Sequence, residues 1–281
     1  MRLPEWLRTD TLTGLRETRK LLRSYGVSTV CEEARCPNRG YCFKKPTAAF
    51  MILGDRCTRN CCFCSVMPGV PSAPDGDEPQ RIALAAKEMG LRYVVVTSVT
   101  RDDLPDGGAM HFVKTIRSIG AILPKALIEV LIPDFNGNSG SIGHVISAGP
   151  DVLNHNIETV RRLYDSVRPD ADYDRSLSVL KEASSTAGNT LIKSGLMLGL
   201  GETSEEVIET MKDLRMSGCE MISIGQYLQP SKYNLPVKEY VRPEVFDRYR
   251  SVAKDMGFRF VASAPLVRSS MNAEELFLLS R

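Results

Sequence analysis

Three thiols within eight residues, Cys57, Cys61 and Cys64, constrain this chain more than any other feature of it. They sit in the segment AAFMILGDRCTRNCCFC, residues 48–64, where an apolar stretch from Ala48 to Leu53 precedes them and Gly54 separates the two. The apolar run predicts a buried strand that Gly54 ends, so that a strand delivers the thiols to a loop at its C-terminal end. The spacing C-x3-C-x2-C supplies three thiolates, whereas closed zinc sites and ferredoxin-type clusters take four protein ligands. A four-iron cluster on three cysteines keeps one iron open, and an open metal position is where a substrate or cosubstrate binds.

Two other readings of these cysteines stand beside this one. A zinc site would need a distant fourth ligand, and Cys62, next to Cys61, blurs the pattern. A disulfide framework suits short secreted chains that cannot bury a core. This chain has 281 residues, 43% of them hydrophobic and 25% charged, and no signal-peptide-like apolar stretch opens it. With no apolar run of transmembrane length, the expectation is a protein of the cytoplasm or an equally reducing compartment, without a membrane partner. The 36 basic and 34 acidic residues leave a net charge of +2 and no basic field, so no nucleic-acid partner is implied.

A second group, CEEARCPNRGYC, places Cys31, Cys36 and Cys42 at C-x4-C-x5-C, again without a fourth thiol. Six of the eight cysteines thus fall in two groups of three, and Cys62 and Cys219 are read as ordinary thiols. Upstream, Leu12, Leu15, Leu21 and Leu22 predict a helix over Asp10 to Tyr25. Downstream, strand and helix alternate. Strands are predicted at Tyr93 to Ser98, Leu127 to Ile132, Val152 to Asn156, Leu191 to Leu198, Met221 to Ile224 and near Arg259 to Ala262. Helices follow them, one opening at Glu78-Pro79, one over Met110 to Ile119, one with a capping box from Thr203 to Glu206, and one over Glu244 to Met256.

Such alternation predicts a parallel sheet with helices outside, as a curved partial barrel or a doubly wound sheet. Polar residues favour the barrel. Thr97, Ser98 and Arg101, Asp134, Asn156 and Glu158, Glu202 and Gln226 each follow a predicted strand, and in a barrel such strand ends share one active mouth.

The C-x3-C-x2-C loop resembles the signature of the radical SAM superfamily, whose members join an iron-sulfur cluster to S-adenosylmethionine (SAM). The runs TSVTRDDLPDGGAMHF, IEVLIPDFNG, PDVLNHNIETVRRLY, KSGLMLGLGETSEEV, IGQYLQPSKYNLPV and PLVRSS, with both cysteine groups, resemble the lipoyl synthase family over nearly the whole chain. The resemblance implies an α/β fold, a partial (β/α)6 TIM-like barrel over residues 47–262, with an N-terminal extension over 1–46 and a C-terminal tail over 263–281. It implies a sulfurtransferase that inserts sulfur at C6 and C8 of an octanoyl group on a lysine of a lipoyl carrier, a dehydrogenase E2 or glycine-cleavage H protein.

In that reading Cys57, Cys61 and Cys64 hold the SAM-binding 4Fe-4S cluster, and an electron from it cleaves SAM to methionine and a 5′-deoxyadenosyl radical. Cys31, Cys36 and Cys42 hold an auxiliary 4Fe-4S cluster, consumed as the sulfur donor, whose fourth ligand is a serine of the RSS motif: Ser270 by position, Ser269 as second choice. A serine oxygen is a harder ligand than thiolate and so is able to leave. By superfamily analogy Thr97 and Ser98 reach the methionyl end of SAM, Asn156 and Glu158 the ribose hydroxyls, and Gly195-x3-Gly199-x2-Glu202 lies beside adenine. A ferredoxin or flavodoxin is the implied electron donor, and an iron-sulfur carrier rebuilds the spent cluster.

Several residues carry a plainer reading. Asn156 and Glu158 would also serve as caps of a helix that begins there. Lys193 and Arg268 would also be surface or carboxylate-pairing charges, and His111, His144 and His155 packed or solvent-facing side chains. The chain departs from the family pattern at Met271-Asn272-Ala273, where Tyr-His-Ala is usual, at Asn234, where histidine is frequent, and at Cys62. Two rivals remain: a biotin-synthase-type enzyme, which draws its fourth auxiliary ligand from the barrel, and an iron-sulfur electron carrier, which needs four protein ligands per cluster.

Overall fold

The computed structural model describes residues 3–9, 15–43 and 48–270. Residues 10–14, the start of the expected first helix, and Met271, Asn272 and Ala273 lie outside the described residues. The chain forms two compact units, one of Thr9–Arg59 and Ser65–Leu153, the other of Met1–Arg8, Asn60–Cys64 and Asn154–Arg281.

The first unit begins with α1 (Leu15–Ser24) and the two-residue strand β1 (Ser28–Thr29). Two one-turn helices follow, α2 (Val30–Glu33) and α3 (Arg39–Cys42), too short for periodicity to reveal them in the sequence. Thr29 caps α2 by accepting from the Glu32 amide. Next come β2 (Ala49–Ile52), β3 (Arg56–Cys57), β4 (Met67–Pro68), α4 (Glu78–Glu88), β5 (Tyr93–Ser98), α5 (Ala109–Ile122), β6 (Leu127–Leu131), α6 (Ser139–Ser147) and β7 (Val152–Asn154).

The sheet of this unit runs β1-β2-β5-β6-β7. β2, β5 and β6 are parallel, and β1 lies antiparallel on β2 with Ser28 opposite Met51. β3 and β4 form a separate parallel pair. The continuous apolar run of β5 is covered on both faces: Val94 and Val96 have no exposed surface, and Phe50 and Ile52 of β2 are equally enclosed. Each such side chain contributes about 1.5–3 kcal/mol through burial. Ile82, Ala85 and Ala86 form the buried stripe of α4, as their spacing predicts.

The second unit contains α7 (Tyr164–Val167), α8 (Tyr173–Thr186), β8 (Leu191–Leu198), α9 (Ser204–Met216), β9 (Met221–Gln226), α10 (Pro243–Asp255) and β10 (Phe260–Ser263). Its strands run β8-β9-β10, all parallel. The expected capping box is formed: the Thr203 side chain accepts from the Glu206 amide and the Glu206 side chain from the Thr203 amide, a motif that contributes about 1 kcal/mol. β9 runs two residues past the predicted end, so Gln226 lies inside the strand. Its amide donates to the carbonyls of Leu198 and Glu239 and accepts from Val241 N, which ties the following loop down.

Among the described residues, no helix is long and apolar enough to cross a membrane.

Candidate active site

In the first unit Cys31 lies on α2 and Cys42 closes α3, with Cys36 between them, all three partly exposed and none in a disulfide. Burial, then the neighbouring Cys36 and Cys42 thiols, push Cys31 up to about 12, a value lowered in part by a backbone hydrogen bond. Cys31 thus lies within electrostatic reach of the other two thiols. Their anions repel, and a cationic metal centre is what would let all three ionise. Among the described residues no three His, Cys, Asp or Glu side chains are gathered tightly enough for one ion. Cysteine sulfur is the donor that iron-sulfur clusters take, and three of them leave one ligand place to be filled.

Cys57 ends β3, where its Sγ accepts from Thr100 N at 3.3 Å and its carbonyl from Gly69 N at 2.9 Å. Two residues on, Arg59 is only 5% exposed and grips both following strand ends. It donates to Asp102 through Nε at 2.8 Å, to both carboxylate oxygens of Asp134 at 2.9 and 2.7 Å, and to Asn136 Oδ1 at 2.8 Å. Burial alone would lower the Arg59 pKa, but the hydrogen bonds to Asp102 and Asp134 carry it above its ordinary value, so the guanidinium stays charged. Removing one partner of a buried pair of this kind costs about 3–5 kcal/mol. Asp134, expected at the mouth, is thus spent on holding the Cys57 loop. Arg101, 1% exposed, is likewise occupied with the Leu53 carbonyl and the Asp103 carboxylate.

At the end of β5 the two candidate SAM contacts differ. Thr97 Oγ1 donates to the Leu131 carbonyl at 3.1 Å. Ser98 Oγ is buried and meets no hydrogen-bond partner among the described residues. A buried hydroxyl left alone costs about 1–3 kcal/mol, and a polar ligand atom there would relieve it.

In the second unit the backbone of the cysteine loop is pinned. Cys62 N donates to the Val167 carbonyl and Leu235 N to the Cys62 carbonyl, both at 3.0 Å, while Asn234 Nδ2 donates to the carbonyls of Cys64 at 2.7 Å and Cys62 at 3.4 Å. Phe63 packs on the buried cluster of Val167, Leu200 and Tyr227. Asn234, noted in the sequence only as a departure, is a donor that fixes the loop carrying Cys61 and Cys64. The Cys62 side chain has just a weak contact to the Asn60 carbonyl at 4.0 Å, and Cys219 is fully buried, its pKa raised by that burial.

The helix-cap reading of Asn156 and Glu158 is overturned. No helix begins there; Glu158 forms an isolated bridge to β8, its N donating to the Gly195 carbonyl and Met197 N to its carbonyl, each at 2.9 Å. Pairing with β8 wins over the local capping preference. Glu158 adopts a φ of +67°, a left-handed conformation rare for its residue type and frequent at functional sites. Burial raises its pKa, against the opposing pull of Arg168 and a 3.0 Å hydrogen bond from Asn156 Nδ2.

Gly195 makes the space for this group. A Cβ there would lie 2.6 Å from Asn156 Oδ1, 2.8 Å from Ser269 Oγ and 2.9 Å from Ser223 Oγ. Ser269 Oγ donates to Asn156 Oδ1 at 3.1 Å and pairs with Ser223 Oγ at 3.4 Å. Lys193, two residues before Gly195 on the same face of β8, is 1% exposed and donates to the Ser269 carbonyl at 2.6 Å. Its reading as a surface charge is therefore wrong. Glu202 accepts from Gly199 N at 2.6 Å and Leu200 N at 2.9 Å and so closes the turn after β8.

The histidines follow their plain reading. His111 is packed against Glu78 at 2.8 Å, His155 is buried and His144 is exposed. Arg59 and Ser223 were not singled out by sequence; an arginine between cluster thiols, with acidic residues after the next two strands, was the available signal for Arg59.

Residues 51–214 match the family model of the Radical SAM superfamily. The lipoyl synthase of Caldanaerobacter subterraneus subsp. tengcongensis is 54% identical over 282 residues, covering 100% of this chain and 99% of the relative. That of Caldicellulosiruptor saccharolyticus is 56% identical, covering 97% and 96%. Among solved structures, methylornithine synthase (PylB) aligns with a TM-score of 0.56 at 16% identity over 98% of this chain and 82% of that one. HydG, a maturase of the [FeFe]-hydrogenase, aligns with a TM-score of 0.58 at 18% identity over 90% and 56%. At such identities these structures bear on the fold alone, and they agree with the expected α/β barrel type.

Proposed function

The chain belongs to the lipoyl synthase family of the radical SAM superfamily, and from that premise we propose that it inserts two sulfur atoms, at C6 and C8, into an octanoyl group on a lipoyl carrier protein, drawing them from an auxiliary cluster. It is a sulfurtransferase of a family that works with SAM, a 4Fe-4S cluster and an octanoylated carrier protein. The observation that carries the finer reading is the presence of two separate three-cysteine groups in one chain.

In this reading Cys57, Cys61 and Cys64 hold the cluster that, when bound, supplies the electron for SAM cleavage and thus the radical that takes hydrogen from an unactivated carbon. The unpartnered Ser98 hydroxyl meets the methionyl end of SAM, with Thr97 beside it. Asn156 and Glu158 meet the ribose hydroxyls, the carboxylate as acceptor. Cys31, Cys36 and Cys42 hold the auxiliary cluster with Ser270 as fourth ligand; the choice of Ser270 is supported by the engagement of the Ser269 hydroxyl with Asn156. A ferredoxin or flavodoxin supplies electrons, an iron-sulfur carrier restores the auxiliary cluster, and the cytoplasm is the inferred compartment.

The test is mass spectrometry of an octanoylated carrier after anaerobic incubation with the reconstituted chain, SAM and a strong reductant. A gain of two sulfur atoms supports the reading. SAM cleavage without any sulfur gain would point to another radical SAM chemistry, and neither event to an electron carrier.

The single variants Cys62→Ala and Cys219→Ala are expected to keep full iron content and SAM cleavage, because neither thiol belongs to a group of three. Iron analysis checks this, and loss of more than half the iron in either would make that thiol a ligand.

Glu158→Gln is expected to raise the melting temperature of the cofactor-free protein increasingly as pH rises above the ordinary carboxylate range. A carboxyl whose folded pKa is raised favours the folded state below its unfolded pKa and loses that contribution as pH rises through the folded one. Glutamine stays neutral throughout, so its advantage should vanish toward acid. Thermal melts across pH check the sign; a constant offset at every pH would contradict it.

A further inference from the structure

Lys193 is a lysine with almost no exposed surface, placed mid-strand on β8. Burying an ammonium is costly unless its donors are used, and a neutral residue would fill the same space without that cost. One donor is accounted for by the backbone carbonyl of Ser269 at 2.6 Å, the short length typical of a charge-assisted bond. A backbone acceptor senses where the chain runs, whatever side chain it carries. The same residue is held a second time, by its Oγ on Asn156 Oδ1 at 3.1 Å, and Asn156 in turn donates to Glu158. Upstream, Gln226 N donates to the Pro265 carbonyl and Ala264 N to the Ile224 carbonyl, and Gly225 leaves room for the Val267 carbonyl, where a Cβ would collide. The segment 264–269 is thus laid along β9 and fastened at its far end by Lys193.

We infer that Lys193 is the positioning residue for the terminal serine pair: it fixes the Ser269 backbone, and thereby the place from which the adjacent Ser270 reaches the auxiliary cluster. The inference rests on the ligand role proposed above for Ser270. A hydroxyl ligand is weak, so its hold on iron depends on being delivered to one position without a search. Ser269 Oγ on Asn156 adds a link to the residues proposed for the SAM ribose, but the carbonyl clamp carries the position.

Reconstituted full-length wild type, Lys193→Met, Lys193→Arg, Ser269→Ala and Ser270→Ala chains are compared for iron retained during a timed challenge with a ferrous-iron chelator, for 5′-deoxyadenosine and lipoyl product, and for melting temperature. Lys193→Met is expected to lose about half of its iron roughly tenfold faster than wild type, and to lose far more lipoyl product than 5′-deoxyadenosine. Lys193→Arg, which keeps a cationic donor, is expected to recover much of that iron retention. Ser269→Ala keeps the carbonyl and should retain iron within about twofold of wild type.

Iron as durable in Lys193→Met as in wild type, while Ser270→Ala loses it, overturns the clamp and leaves the Ser270 assignment standing. If Ser270→Ala itself holds its iron, the ligand assignment fails and the clamp with it. Loss in Ser269→Ala equal to that in Lys193→Met overturns the inference by moving the restraint to Asn156. If Lys193→Met does not fold, Lys193→Gln takes its place in the same comparisons with wild type, Lys193→Arg, Ser269→Ala and Ser270→Ala.

Discussion

Replacing Cys57, Cys61 and Cys64 together by alanine is expected to lower SAM cleavage at least ~1,000-fold and to reduce iron from about eight to about four atoms per chain. The rate falls because, in the proposed reading, the cluster on these three cysteines is the one that binds SAM, and the iron halves because the second cysteine group is untouched. The backbone anchors of the loop should survive the change. Its position is set by the Cys62, Leu235 and Asn234 hydrogen bonds and by Arg59 on Asp102 and Asp134, none of which uses a cysteine side chain beyond the contact of Cys57 Sγ with Thr100 N. Iron analysis, 5′-deoxyadenosine quantification and far-UV circular dichroism check the three statements together. A triple variant with full iron would remove the cluster assignment.

Substitution of Ser270 should separate cluster binding from sulfur transfer. Thiolate is a better matched ligand for iron than a serine oxygen, so Ser270→Cys is expected to retain about eight irons and near-normal SAM cleavage yet to lose at least ~100-fold in lipoyl product, because the iron no longer lets go. Ser270→Ala offers no ligand at all. It should shed iron from the auxiliary group alone and lose product for that reason, leaving SAM cleavage within about threefold of wild type. Parallel measurement of iron, 5′-deoxyadenosine and product in the two variants distinguishes a ligand that holds too firmly from one that is missing. Normal product from both would transfer the role to Ser269.

Strands buried on two faces were legible from sequence because nothing local competes with them: the bounds of β5 and β8 agree with the continuous runs YVVVTS and LIKSGLML. The capping box of α9 was equally plain. Misreadings arose where a polar side chain had two plausible employers. Asn156 and Glu158 look like caps in a linear reading, and only the pairing of Glu158 with β8 shows otherwise. Asp134, Glu202 and Gln226 follow or end strands as ligand residues do, yet their polar atoms go to Arg59, to the turn amides after β8, and to the loop after β9. Lys193 could not be recognised as buried, since its acceptor is a backbone carbonyl 76 positions away. The cysteine groups were legible because ligand identity and spacing are local, whereas the residues that hold their loops are drawn from distant segments.

The cysteine segment of the first unit is joined to the sheet by the two-residue pairing of β1 on β2, and its other backbone bonds are local, closing turns and helices of a single turn. Segments so held open at a smaller free energy than the strands beside them. In the function proposed above, a cluster that gives up its own sulfide would have to be rebuilt after every round, and local opening of residues 28–43 would admit that repair while the sheet stays closed. Amide exchange should therefore show residues 28–43 swapping protons well ahead of β5, which would make such repair a local event and not a refolding.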